Sequence, residues 1–260
     1  MAAVEGAVAP RVVFVTGASA GFGAAIARRF VRRDARVVAL ARRSDRLNGL
    51  AEELGRDRVH AIALDVRDRS AIERAVGALP AEFAEVDLVV NNAGLALGLE
   101  PAHRSRPEDW EQMIDTNCKG VVYVTRALLP GMVARGRGHV VNIGSTAGTY
   151  PYPGGNVYGA SKAFVHQFSL NLRSDLHGTG VRVTCIEPGI CGGTEFSGVR
   201  FRGDQKRAAE VYAGMRPLTP EDVAATVEWV SSLPARVNVN TVELMPADQS
   251  FGPYQVHRAP

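Results

Sequence analysis

The sequence predicts an α/β protein built on a doubly wound, seven-stranded parallel sheet with helices on both faces. Two observations carry this. Short Val- and Ile-rich runs are apolar on both faces, and helix-length segments separate each run from the next. A strand covered by helices on both sides loses the apolar–polar alternation of a half-exposed strand, and alternating β and α segments join through right-handed crossovers into parallel pairs. A third observation concerns loops: Gly and Pro cluster at Tyr150–Asn156 and Glu187–Gly193, where strands end on the ligand-binding edge. The expected strand order is 3-2-1-4-5-6-7.

Strands are expected at Arg11–Val15, Arg36–Leu40, Val59–Leu64, Asp87–Val90, His139–Ile143, Val181–Ile186 and Thr241–Met245. Helices are expected at Gly23–Arg33, Asp45–Leu54, Ser70–Leu79, Glu108–Arg135, Val157–His177 and Glu221–Ser232. The fourth is long enough for two helices and is expected to break near Asn117–Gly120. No linker, repeat or low-complexity tract divides the chain. Residues 1–260 are therefore expected to form one domain, with a tail from about 247 that shows no clear period. Trp110 and Trp229 are expected in the core.

Charged residues make up 22% and hydrophobic residues 46%, values that exclude a disordered or fibrous chain. The net charge of +3 is spread rather than blocked, which argues against nucleic acid as a partner. No apolar run reaches the roughly 18 residues of a membrane span. The first ten residues lack a basic segment and carry Glu5, unlike a signal peptide. Cys118, Cys185 and Cys191 form no C-x-x-C pair, so a reducing, cytoplasmic setting is expected. Only Lys119, Lys162 and Lys206 break an otherwise all-arginine set of basic residues, which draws attention to lysine's own chemistry.

Thr16-Gly17-Ala18-Ser19-Ala20-Gly21-Phe22-Gly23 follows the first strand and opens the first helix. Gly17 permits a tight turn, Gly21 lets a pyrophosphate approach the backbone, and Gly23 lets helix and strand pack closely. The helix N-terminus then faces the phosphates of a dinucleotide. The second strand ends in Arg42-Arg43 where a site for NAD usually ends in an acid. Paired guanidiniums suit a 2′-phosphate and point to NADP; the competing reading is two solvated arginines. Asp65-Val66 ends the third strand as an adenine contact, or Asp65 caps the next helix. Asn91-Asn92-Ala93-Gly94 ends the fourth, lining the adenosine side or forming a turn.

Tyr158 and Lys162, four apart on a strong helical pattern, share one strip of the helix. An ammonium beside a phenol stabilises the phenolate and makes tyrosine usable in proton transfer near neutrality. Ser145 follows the fifth strand, where its hydroxyl can meet a substrate oxygen or cap a helix. Asn117 stands at the helix break, where its side chain or a freed carbonyl can hold water against Lys162.

TGASAGFG, NNAG, Asn117, Ser145, YGASK and Pro188-Gly189, in this order, resemble the short-chain dehydrogenase/reductase family over roughly Arg11 to Met245. The resemblance implies a single Rossmann domain, nicotinamide-dependent hydride transfer, and a tetrad of Asn117, Ser145, Tyr158 and Lys162. Tyr158 would be the acid/base, Lys162 would lower its pKa and bind the nicotinamide ribose, Ser145 would orient the substrate oxygen, and Asn117 would support a relay water. It also implies cofactor contacts along Pro188, Gly189, Ile190, Cys191, Gly192, Gly193, Thr194, Glu195 and Phe196, and a homotetramer. Within the family, NNAGLALGLEPAH, DWEQMIDTN, VNIGSTAG and EPGICGGTEFSGVRF resemble the bacterial NADP-dependent 3-hydroxy acid dehydrogenases, described as acting on L-allo-threonine, serine or malonic semialdehyde. Cys118 and Cys191 depart from that pattern. A carbonyl or 3-oxoacyl reductase, or a silent NADP-binding scaffold, would share the fold; a complete tetrad argues against silence.

A 3-hydroxy acid brings one carboxylate, and a buried carboxylate needs a donor. Arg200, Arg202 and Arg258 are the candidates, with solvated side chains the competing reading. The six histidines are scattered without metal-ligand spacing, so no metal is expected.

Overall fold

Residues 9–252 are described by the computed structural model. In chain order the elements are β1 (Val12–Thr16), α1 (Gly21–Val31), β2 (Arg36–Ala41), α2 (Ser44–Leu54), β3 (Val59–Ala63), α3 (Arg69–Gly77), the single turn α4 (Ala81–Ala84), β4 (Leu88–Asn91), α5 (Pro107–Ile114), α6 (Gly120–Ala134), β5 (Gly138–Ile143), α7 (Asn156–Asp175), β6 (Val181–Pro188), the short α8 (Phe196–Arg200) and α9 (Gln205–Glu210), α10 (Pro220–Ser232) and β7 (Thr241–Leu244). The seven strands form one sheet in the order β3-β2-β1-β4-β5-β6-β7, as the sequence predicts. Every pairing is parallel.

The pleat of β1 explains why its apolar run has no polar face. Val13 and Val15 pack into a core with Ile26 and Phe30 of α1, Leu47 of α2 and Val227 of α10. Val12 and Phe14 pack into a second core on the opposite face, with Ile72 of α3 and Leu128 and Met132 of α6. Successive side chains of a strand point to opposite faces, so one all-apolar strand serves both layers. Helix α10 starts at a capping box in which Thr219 and Asp222 exchange hydrogen bonds, as an N-terminal signal should. The cap of α3 is Asp68, whose carboxylate accepts from the Ala71 N–H at 2.9 Å. Asp65 therefore does not take the capping role and is left for other work.

The expected bounds of strands and helices hold within two residues, except in the long fourth helix. There α5 and α6 are not broken apart. A π-helical turn, Asp115–Lys119, joins them and carries Asn117 buried at its centre. Such a bulge keeps the helix continuous while rotating side chains out of the ordinary register, a device often found at functional sites. Trp110 is partly buried, whereas Trp229 on α10 is 48% exposed, against the expectation that it fills the core. The small Ala224 and Val227 face the sheet instead.

His139 on β5 is fully buried, with Nε2 2.8 Å from Thr184 Oγ1, and its Nδ1 meets no hydrogen-bond partner among the described residues. Burial, helped by the nearby Arg182, holds its pKa well below the usual 6.5. On acidification the unfolded chain takes up a proton at this histidine that the folded chain refuses, so stability falls as pH drops below 6.5. His139→Gln is expected to remove about 1.4 kcal/mol of the stability loss between about pH 7.5 and 5.5, read from denaturant midpoints. Identical losses in both proteins would contradict this.

Candidate active site

The carboxyl ends of the strands open onto one cavity of 770 Å³. Its inner wall is the turn between β1 and α1. Gly17 sits there at φ +69°, and a Cβ on it would lie 2.8 Å from Asn92 Nδ2. A Cβ on Gly23 would collide with the Gly17 carbonyl, which is the close helix–strand approach expected of the motif. Gly17, Ser19, Ala20, Gly21 and Phe22 line the cavity, while Ala18 and Gly23 lie behind that surface. Asn92, Ala93 and Gly94 line it too. Asn91 does not: it is buried inside β4, where its Nδ2 donates to Thr125 Oγ1 and Asn142 Oδ1 at 2.9 and 2.8 Å.

At the end of β2, Arg42 and Arg43 flank the N-terminus of α2. Arg43 Nη2 reaches Ser19 Oγ at 3.1 Å and Glu195 Oε2 at 2.7 Å, bridging the glycine turn to the loop after β6. The Glu195 carboxylate is held below its usual range by that hydrogen bond. Asp65 and Val66 line the same end, with Asp65 paired to Arg67 at 2.7 Å. From the β6 loop, Pro188, Gly189, Ile190, Cys191, Thr194, Glu195 and Phe196 line the cavity, whereas Gly192 and Gly193 pack against Pro217 and Pro220.

The catalytic candidates converge on the other end. Lys162 is buried, and its Nζ donates to the Ile143 carbonyl at 2.8 Å. Desolvation lowers its pKa to about 8, which leaves it an ammonium at neutral pH. Tyr158, one turn earlier on α7, has its ring centroid 6.0 Å from that Nζ. Burial pushes the phenol up to about 12, against smaller lowering effects from the Ser145 hydroxyl and Arg200. The sequence argument expects Lys162 to lower this phenol; in this geometry desolvation outweighs any such pull. Ser145 faces the cavity, and its Oγ also accepts from the Ala147 N–H at 3.1 Å, so its capping and site-facing roles coexist. Asn117 does not line the cavity. Its Oδ1 accepts from the Leu95 N–H at 2.9 Å, and its Nδ2 donates to the Leu95 carbonyl at 2.9 Å and to Ser161 Oγ at 3.0 Å. Every polar atom of its side chain is thus engaged within the protein.

Of the three arginines, Arg200 at the end of α8 lines the cavity. Its guanidinium carbon stands 5.4 Å from the Tyr152 ring centroid and 5.6 Å from that of Tyr158. Arg202 turns to Asp109 on α5 and lies outside the cavity lining. Arg258 is outside the described residues. Tyr150, Pro151, Tyr152 and Pro153 also line the cavity. Their Pro-rich loop marked the region in sequence, but nothing local singled out Tyr152. Beside the site, His166 Nδ1, Cys185 Sγ and Glu187 Oε1 come within 4.8 Å of one another, a grouping that histidine spacing does not reveal. His166 Nδ1 and Glu187 Oε1, 2.6 Å apart, are joined by a short hydrogen bond.

Residues 11–204 match the family model described as short chain dehydrogenase. The chain belongs to the short-chain dehydrogenase family. This short-chain dehydrogenase is 62% identical over 247 residues to the NADP-dependent 3-hydroxy acid dehydrogenase YdfG of Escherichia coli K12, covering 95% of this chain and 99% of that protein. It is 51% identical to the serine 3-dehydrogenase of Agrobacterium fabrum, covering 95% of this chain and 98% of that one. A solved structure, the closed form of serine dehydrogenase complexed with NADP+, superposes with a TM-score of 0.94 at 61% identity, covering 95% of this chain and all of that one.

Asn117 ties the π-turn to Leu95 and to Ser161 on α7, so removing its amide orphans buried groups on two partners. Asn117→Ala is expected to destabilise this short-chain dehydrogenase by at least about 1–3 kcal/mol. Denaturant unfolding measures it, and a loss under about 0.5 kcal/mol would contradict the structural role.

Proposed function

We propose that the chain is an NADP-dependent oxidoreductase that transfers a hydride between the nicotinamide and the 3-position of small 3-hydroxy or 3-oxo acids. The observation that carries the substrate class is Arg200: a fixed positive charge beside Tyr158, inside the cavity that Ser145 also lines. A carboxylate next to the reacting carbon would find its counter-charge there. The names of the relatives support the same reading.

The residues present fit NADP. The Gly17 turn has no room for a side chain, the first residues of α1 line the cavity, and Arg42 and Arg43, which line it at the end of β2, would hold a 2′-phosphate. When bound, NADP supplies the hydride donor or acceptor. Tyr158, protonated at neutral pH, gives its proton to the substrate oxygen in reduction and takes it back in oxidation. Ser145 holds that oxygen by a hydrogen bond. Lys162, fixed by the Ile143 carbonyl, keeps a positive charge beside the phenol and would offer its ammonium to the nicotinamide ribose. With its side chain engaged elsewhere, Asn117 would hold a relay water against Lys162 through its main-chain carbonyl.

The exposed apolar side chains of Phe164 on α7 and Trp229 on α10 are consistent with burial between copies in a homotetramer. Among the described residues no helix is long and apolar enough to cross a membrane.

The reading is tested by following NADPH absorbance with malonic semialdehyde, with a 3-oxoacyl thioester and with no substrate, and NADP+ reduction with serine, allo-threonine, 3-hydroxypropionate and 3-hydroxyisobutyrate. Turnover confined to the thioester, or none at all, would refute it. Tyr158→Phe is expected to lower kcat by about 10²–10⁴-fold while NADPH still binds. Because burial raises this phenol, wild-type kcat/KM for oxidation is expected to climb with pH through the alkaline range; a flat profile, or a variant keeping most of its kcat, would contradict the acid/base role. Replacing Arg42 and Arg43 together by Ala is expected to weaken NADPH far more than NADH, by tenfold or more for each charged hydrogen bond lost, roughly 1.5–3 kcal/mol. Equal weakening in direct binding would leave the two arginines as surface charges.

A further inference from the structure

Tyr152 lies in the 150–156 loop, and its ring is packed closely. A Cβ on Gly155 would lie 3.0 Å from its Cε1, and the ring joins the apolar cluster of Leu95, Met113, Tyr158 and Phe196. Its hydroxyl oxygen accepts a hydrogen bond from Arg200 Nη2 at 2.7 Å. Arg200 is held a second time by donation from Nε to the Gly98 carbonyl at 3.1 Å. These two contacts fix the plane of the guanidinium between two phenol rings. They also leave donors unspent. Among the described residues, the Tyr152 O–H proton meets no acceptor, nor does Arg200 Nη1. Both residues line the cavity.

A phenol that accepts from a guanidinium is polarised, and its own proton becomes a better donor. Two donors side by side, one on a cation, in a largely apolar wall are the complement of a planar monoanion. We propose that Tyr152 is a direct ligand of the substrate carboxylate, donating its O–H to one oxygen while Arg200 holds the other. The inference rests on the reading of Arg200 given above and extends it. Tyr152 then helps discriminate a free acid from an ester or thioester: a neutral ester carbonyl accepts more weakly, and its alkyl group crowds the seat.

The alternative is that Tyr152 only orients Arg200. The two differ in a measurable way, because an orienting phenol loses its purpose once the guanidinium is gone, whereas a ligand does not. The experiment compares wild type, Tyr152→Phe, Arg200→Ala and the double variant, with 3-hydroxypropionate and its methyl ester as substrates. Phenylalanine keeps the ring and its packing, and NADPH binding by fluorescence confirms that each variant is folded. In Tyr152→Phe the acid-to-ester ratio of kcat/KM is expected to fall about tenfold or more, carried by KM, as for loss of a hydrogen bond to a charged group. In the Arg200→Ala background the same substitution is expected to lower the ratio again by at least about threefold, an outcome an orienting role does not produce. A ratio unchanged by Tyr152→Phe, or changed only while Arg200 is present, overturns the assignment of Tyr152 and leaves the Arg200 reading standing. A ratio unchanged in Arg200→Ala as well brings down the carboxylate reading itself.

Discussion

Parallel pairing of all seven strands is the constraint on which everything else depends. Because each strand returns through a helix, every carboxyl end lies along one edge and every connecting loop there faces the same crevice. The chain runs outward from β1 to β3, then crosses back to β4 on the other side of β1. At that reversal the loops after β1 and β4 diverge, and the cavity opens between them. Residues as distant in sequence as Gly17, Asn92, Ser145, Lys162 and Thr194 become neighbours for that reason alone.

The edge also explains how a lysine can be buried. Desolvating an ammonium is costly unless it finds strong acceptors. Lys162 finds one in the Ile143 carbonyl, at the very end of β5 where the ladder no longer needs it. The π-turn solves a related problem on the other side. It brings Asn117 inward to satisfy both main-chain groups of Leu95, in a segment after β4 that has no regular partner of its own. Lysine and asparagine are thus part of the packing as well as candidates for chemistry. Variants at either position will mix stability with activity unless the two are measured separately.

Local signals made much of this legible in sequence. Apolar runs without alternation specified buried parallel strands, and the Gly17–Gly23 spacing specified the turn, because each depends on a few adjacent residues. What sequence could not supply depends on long-range pairing. The sequence puts Asn117 at a helix break, but its partners Leu95 and Ser161 lie 22 and 44 residues away. Arg200 and Arg202 look alike in sequence; only the fold sends one into the cavity beside Tyr152, 48 residues distant, and the other to Asp109. Spacing suggests the pull of Lys162 on Tyr158 but does not show the cost of desolvating a buried phenolate, which outweighs it. Trp229 is exposed against expectation because a tryptophan's size says nothing about which side of a helix meets the sheet.

Hydride transfer to carbon 3, at a substrate held in one orientation, can be tested without reference to rates. NADPH deuterated at the transferred position of the nicotinamide would be supplied with malonic semialdehyde, 2-methylmalonic semialdehyde or 2-amino-3-oxobutanoate, and the product examined by NMR and chiral separation. The expected result is one deuterium at carbon 3 per nucleotide oxidised, with a single configuration at that carbon, as the roles proposed for Tyr158, Ser145 and Arg200 require. Deuterium at another carbon, or an equal mixture of configurations at carbon 3, would contradict the arrangement proposed for this site.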